Sequence, residues 1–149
     1  MRKIIAVTVL TAAAVLGIAS APAALADQSA ATKPAKKYQL VFHVSENRPE
    51  QWRVALNNAM SFQRNVGKEN VDLEIVANGP GLNMLKSDSK VADGIAQALD
   101  RNIDLVACGE TMKAAKVDKE DLLGGVRVVP GGLIEIVDRQ RSGWTYIRP

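Results

Sequence analysis

Four times along this chain a short apolar run stops abruptly and a stretch with helical spacing follows; the runs are 38–44, 71–77, 103–107 and 126–129. Strands alternating with helices pack as a parallel sheet, because each crossover helix returns over the sheet with the same hand and covers a face. A shorter run, 144–147, follows the last helical stretch and reads as a fifth strand at an edge. The expected fold is α/β: a three-layer α/β/α sandwich on a mostly parallel five-stranded sheet.

The helical stretches have clear ends. Trp52, Ala55, Leu56, Ala59, Phe62 and Val66 recur on one face of the first, with Pro49 in its first turn and Gly67 as its stop. Ser87-Asp88-Ser89 offers capping side chains to a second helix, which buries Val91, Ala92, Ile95, Ala98 and Leu99. Asn102 ends that helix in a left-handed conformation. A short helix over 110–115 follows the 103–107 run, and 118–123 reads as a capped turn. Leu133, Ile136, Val137 and Gln140 share one face of the last helix. In 71–77, Val71, Leu73 and Ile75 alternate with Asp72 and Glu74, the period of a strand with two unlike faces.

The first 26 residues stand apart from this pattern. Arg2 and Lys3 precede an apolar segment, 4–18, and Ala24-Leu25-Ala26 has the small-x-small form of a signal-peptidase site. The apolar segment is shorter than the roughly 18–20 residues of a spanning helix. The expected organisation is a secretion signal over 1–26 cleaved after Ala26, a flexible leader over 27–37 rich in Ala, Ser, Lys and Pro, and one α/β domain over 38–149. The expected location is the periplasm, with no membrane attachment after cleavage. Of the 19 basic residues two lie in the signal, which holds none of the 16 acidic ones. The domain is therefore near neutral, and its charge gives no support to nucleic-acid binding.

In a parallel α/β sheet the strand-to-helix loops emerge at the carboxyl edge, where ligands bind. Reading those loops brings together the single histidine, His43, the turn Asn78-Gly79-Pro80-Gly81, the single cysteine in Cys108-Gly109-Glu110-Thr111, and Pro130-Gly131-Gly132. Cys108 falls where a strand ends and a helix begins, so peptide N–H groups favour its thiolate. A lone cysteine in an exported chain has no internal disulfide partner, which leaves a buried inert thiol, an intermolecular bridge or a reactive thiol. His43 is a candidate base or hydrogen-bond donor to a sulfur species on Cys108, and a core histidine bonded to a loop carbonyl accounts for it equally. Asn78 and Gly79 are candidate N–H donors to an anion, but a lone glycine-rich loop is a weak signal and a plain turn is the simpler account. Gly109, Glu110 and Thr111 are candidate binding residues around the sulfur, although the Glu110 carboxylate opposes a thiolate unless it points away. One His and one Cys are too few to hold zinc or copper. No dinucleotide, Walker, GxSxG or CxxC motif is present, so neither metal nor cofactor is expected.

With these residues located, the sequence resembles the DsrE/DsrF-like family, specifically its exported single-domain branch. The resemblance is carried by Phe42-His43-Val44-Ser45, Val76-Ala77-Asn78-Gly79-Pro80-Gly81, Ala107-Cys108-Gly109-Glu110-Thr111-Met112, Asp121-Leu122-Leu123, Val128-Val129-Pro130-Gly131-Gly132 and the C-terminal Gly143-Trp144-Thr145-Tyr146-Ile147-Arg148-Pro149. It implies an α/β/α sandwich, often assembled into homo- or hetero-oligomers. It also implies sulfur relay, in which a cysteine after a strand carries sulfur as a persulfide and passes it to a partner. Cys108 is the matching position.

The expected function is that of a periplasmic persulfide carrier or sulfurtransferase acting through Cys108. Its expected partners are a second copy of itself and a protein bearing a thiol or persulfide. The alternative is a non-catalytic small-ligand-binding or assembly module in which Cys108 is structural. Exposure of the sulfur separates the two.

Overall fold

A computed structural model describes residues 37–149; the expected signal and all but the last residue of the leader lie outside the described residues. The apolar runs form β1 (Tyr38–Val44), β2 (Val71–Ala77), β3 (Asp104–Cys108), β4 (Arg127–Val129) and β5 (Thr145–Ile147). All neighbours pair in parallel, in the order β4-β3-β2-β1-β5. β1 and β2 have the expected bounds, and β5 is an edge strand as expected. Cys108 is the last residue of β3 rather than the first beyond it.

The helices are α1 (Pro49–Val66), α2 (Ala92–Asp100), α3 (Gly109–Ala115) and α4 (Gly132–Arg141), with a 3-10 segment over Gly79–Leu85. Asn102 takes φ 60°, the left-handed stop read from the sequence. The 87–89 segment does not cap α2, which starts after Val91; the Ser89 hydroxyl accepts instead from the Val91 N–H at 3.3 Å. Asp118 does cap its turn, exchanging side-chain and backbone hydrogen bonds with Asp121.

The two faces of the sheet are unequal. On one, Leu40, Phe42, Leu73, Ile75, Leu105 and Ala107 pack under α1, α2 and the 3-10 segment in a broad apolar core that also takes in Met112 of α3. On the other, Val41, Val76, Val106, Val129 and Ile136 make a small core under α4, flanked by Trp144. The apolar face read into α4 is not the face it buries. Ile136 is buried, but Leu133, Ile134 and Val137 are 62%, 65% and 45% exposed.

Ion pairs occupy the rest of the α4 interface. Glu74, in the middle of β2, is fully buried. Its Oε2 accepts from Arg139 Nε at 2.8 Å and Arg127 Nη2 at 3.1 Å, with Arg139 Nη2 at 2.6 Å. Arg127 also reaches Asp104 at 2.7 Å and Glu135 at 3.1 Å, and Arg139 reaches Glu135 at 2.8 Å. The Arg139 guanidinium lies over the Trp144 ring, 4.7 Å from its centroid. Burial pushes the Glu74 carboxyl above the usual carboxylate range, partly offset by the hydrogen bond and charge of Arg139. Glu74 Oε1 is buried with no hydrogen-bond partner. Such a cluster costs much of its Coulombic gain in desolvation, so its net stabilisation is small while loss of one partner is expensive.

Candidate functional site at the carboxyl edge of the sheet

The pleat decides which loop residues can meet. Cys108 shares the α4 face with Val106, as His43 shares it with Val41, because side chains alternate along a strand. Ala77 pairs with Ala107, so Asn78 lies level with Cys108 on the neighbouring strand. His43 pairs with Val76, one strand further over and lower. Strands sit about 4.8 Å apart, which places His43 two strand spacings from the thiol with Asn78 between them.

The hydrogen bonds follow this geometry. His43 Nε2 lies 2.9 Å from Asn78 Oδ1, and Nδ1 lies 2.8 Å from the Tyr146 hydroxyl. An amide oxygen can only accept, so Nε2 carries a proton and donates to Asn78. Both ring nitrogens are engaged, and neither partner is Cys108. The structure therefore corrects the pairing of His43 with the thiol: the ring acts on Asn78.

The turn after β2 takes the plainer of its two expected readings. The Asn78 N–H donates to the Val44 carbonyl at 3.1 Å, and the Gly79 N–H donates to Thr111 Oγ1 at 2.9 Å. With both amides engaged, the turn is a strut between β1 and α3 rather than an anion cradle. Gly79 has φ 49°, and at Gly81 a Cβ would run into the Val44 carbonyl. Glycine is required at 81 by that close approach.

Around the sulfur, the expected donors are only partly in place. The Glu110 N–H donates to the Pro130 carbonyl at 3.0 Å, while its side chain is exposed. The donor at hydrogen-bond distance is the Gly132 N–H, the first residue of α4, 3.1 Å from Cys108 Sγ. Burial raises the pKa of the Cys108 thiol, but the Thr111 hydroxyl and the Gly132, Thr111 and Glu110 amides outweigh it and hold the thiol below its ordinary range. Thr111 accepts from Gly79, which leaves its own proton for the sulfur. Gly109 packs so tightly that a Cβ there would lie 2.9 Å from the Val129 carbonyl oxygen, and a Cβ at Gly132 would lie 2.9 Å from Cys108 Cβ.

Cys108 is a free thiol and only 5% exposed, with Met112 buried beside the same strand end. A cleft of about 450 Å³ lies between α1 and α2, and one of about 330 Å³ lies at the opposite, amino edge of the sheet; Cys108 lines neither. Beside His43, a hollow of about 10 Å³ is bounded by Ser45, Glu46, Gln51, Arg148 and Pro149, the space of roughly one water. Among the described residues, no group of three or more His, Cys, Asp or Glu side chains is arranged to hold a metal ion, and no helix is long and apolar enough to cross a membrane.

Gly132 and Tyr146 are the members that the residue pattern did not assign to the site. Gly132 lay in a loop already placed at this edge, and its contact is a backbone one that no side chain announces. Tyr146 follows from register: its strand pairs with β1 so that Tyr146 faces Val41, one pleat from His43.

Fold and site together define a class: a parallel α/β/α sandwich whose carboxyl edge presents one amide-bonded thiol. The chain belongs to the DsrE/DsrF-like family, whose model matches residues 36–149. That family is associated with sulfur relay. No curated protein matches the chain. Among solved structures, the chain is similar to a protein of unknown function, MTH1491, from Methanobacterium thermoautotrophicum, at 34% identity and a TM-score of 0.72, over 76% of this chain and all of that one. It shares the fold of the ychN protein from E. coli (15% identity, TM-score 0.61, 76% and 99% covered). The same holds for the conserved protein of unknown function BT1422 from Bacteroides thetaiotaomicron (16% identity, TM-score 0.56, 74% and 94% covered).

Proposed function

We propose that this protein is an exported sulfur carrier that takes sulfane sulfur onto Cys108 and passes it to a partner thiol. The observation that carries the reading is the Gly132 N–H on Cys108 Sγ at 3.1 Å, which with Thr111 favours the thiolate within a buried strand end. The thiolate attacks the terminal sulfur of a polysulfide or a persulfide. A new S–S bond forms, the donor's S–S bond breaks, and the donor leaves one sulfur shorter, a persulfide as its thiolate and a polysulfide as a shorter polysulfide or hydrosulfide anion. The acceptor's thiolate then attacks the outer sulfur, becomes a persulfide and restores the Cys108 thiolate. No electrons are gained or lost overall.

The narrow exposure of the sulfur favours small donors over bulky ones on the loading step. Mass spectrometry after polysulfide treatment tests the reading, with Cys108→Ser as the control. Adducts in steps of one sulfur atom on the native protein alone are the expected result. No adduct, together with a thiol inert to alkylation near neutral pH, would sink the proposal.

The same 5% exposure favours the second reading, a non-catalytic binding or assembly module with Cys108 in its wall. Those two outcomes would establish it in place of the carrier. The exported address rests on the 1–26 segment, and the mass of the mature chain in a periplasmic fraction checks cleavage after Ala26. Self-association is supported by the exposed apolar side chains of Leu133, Ile134 and Val137 on α4, an arrangement typical of contact surfaces. Light scattering over a dilution series tests it.

A further inference from the structure

We propose that Glu74, with Arg127 and Arg139, is a positioning device for the thiol site: it locks α4 in the register that places the Gly132 N–H on Cys108 Sγ. Gly132 is the first residue of α4 and donates to the sulfur at 3.1 Å, so its placement depends on where the helix sits along the sheet. Apolar packing specifies that position weakly. Ile136 is the only large apolar side chain of α4 that is buried, and it rests on valines from four strands. Such a contact is non-directional.

The directional contacts are ionic. Glu135 lies about one helical turn from Gly132 and Arg139 about two; both belong to the network centred on Glu74 Oε2. The other end of the connection is held by the same carboxylate. β4 is a three-residue edge strand, and its first residue, Arg127, reaches across β3 to Glu74 at 3.1 Å and holds Asp104 at 2.7 Å. The chain from Arg127 through Val129 and Pro130 to Gly132 and Arg139 is thus anchored on both sides by one buried group. Gly132 has little room to adjust otherwise, since a Cβ there would already press on Cys108 and Val76.

Burying a carboxylate at the centre of β2 is a poor way to gain stability, whereas fixing a register is a known use of buried charge. Glu74, Arg127 and Arg139 are positioning residues in this sense: none touches the sulfur. Asp104 from β3, Glu135 from α4 and the two arginines are paired within the network, and Lys37, Lys68, Asp72 and Arg101 line the amino-edge cleft that Glu74, Asp104 and Arg139 also line; Glu110, beside the sulfur in sequence, is exposed to solvent.

The inference concerns how readily Cys108 ionises and stands independently of what the thiolate carries. The test is the pH midpoint of Cys108 alkylation in the full domain, measured for the native protein, Glu74→Gln, Arg139→Lys and, as a control on the opposite face, Leu40→Ala. Loss of an amide hydrogen bond to a charged acceptor lowers the thiolate population by about tenfold below the midpoint. Glu74→Gln and Arg139→Lys should therefore raise the midpoint by about one pH unit, and Leu40→Ala should leave it in place even though it lowers stability. A midpoint unmoved in a folded Glu74→Gln or Arg139→Lys protein, or moved equally by Leu40→Ala, overturns the proposal. If Glu74→Gln does not fold, Arg139→Lys and Glu135→Gln, at the partly exposed margin of the network, are judged by the same criterion. Failure of sulfur loading with the midpoint shift intact would reject the carrier reading and leave this one standing.

Discussion

The two faces of this sheet solve the same covering problem in opposite ways. Under α1 and α2, large side chains from three strands interlock with two helices, and apolar burial does most of the stabilising. Under α4, a handful of valines and one isoleucine share the surface with five charged groups. Cys108, His43 and Asn78 all project on this second face. A thick apolar core tolerates small shifts of a helix but offers no groups to bind an anion. The thin face sacrifices burial and gains a fixed helix start, and that is where the thiol finds its amide.

The comparison is broken most easily by truncating each core in turn. Phe42, 1% exposed in the broad core, should cost about 3–5 kcal/mol as Phe42→Ala in denaturant unfolding. Ile136→Ala should cost about 2–3 kcal/mol, the low end for such a change, because the space it leaves is close to solvent beneath a helix with exposed flanks. Equal losses at the two sites would mean that the faces do not differ in how they stabilise the fold. A smaller effect is expected at the junction of face and site. In Gly132→Ala the new methyl meets Cys108 Cβ at 2.9 Å, Val76 Cγ1 at 3.2 Å and Asn78 Cβ at 3.4 Å. Overpacking of this kind costs about 1–3 kcal/mol, and relief by movement of α4 should slow alkylation of Cys108 near neutral pH. Unchanged alkylation would show that the helix start does not govern the thiol.

How far this was legible from the sequence follows the same division. The broad face announces itself locally: β1 and β2 were readable to the residue, because a continuous apolar run in β1 and an alternation in β2, each bounded by turn residues, have few alternatives. Cys108 at a strand end, Asn102 in a left-handed stop and the Asp118 turn were legible for the same reason. The thin face was not. Alternation of Asp72 and Glu74 with apolar neighbours looks like a strand with one wet face, yet a central parallel strand is covered on both sides. Glu74, mid-strand in β2, had therefore to be buried and paired. Its partners sit on β4 and α4, far along the chain, and the helical spacing of Leu133, Ile136 and Val137 pointed to a different buried face. Glu135 and Arg139, one turn apart on either side of Ile136, were the available clue. The link from His43 through Asn78 rather than to Cys108 depends on strand order, which local pattern does not contain.

The smallest expected effect is also the one that separates ionisation from packing. The Cys108 thiol is held below its ordinary range in the folded protein: burial acts to raise its pKa, but the Thr111 hydroxyl and the Gly132, Thr111 and Glu110 amides outweigh it. For an acid with a depressed folded value, the folded state binds fewer protons than the unfolded state between the two values. The resulting stabilisation is fully present above the unfolded thiol's value and disappears as the pH falls through the folded one. Cys108→Ser has no such titration. The stability of the native protein relative to Cys108→Ser should therefore be flat in acid and rise with pH only after the folded value is passed. Denaturant unfolding of both proteins across that range measures the difference, and Thr111→Val in the native background should flatten the rise by removing one donor. A difference that is constant with pH would mean that the amides around Cys108 merely pack against a neutral thiol. The thin face would then be a weak core and nothing more.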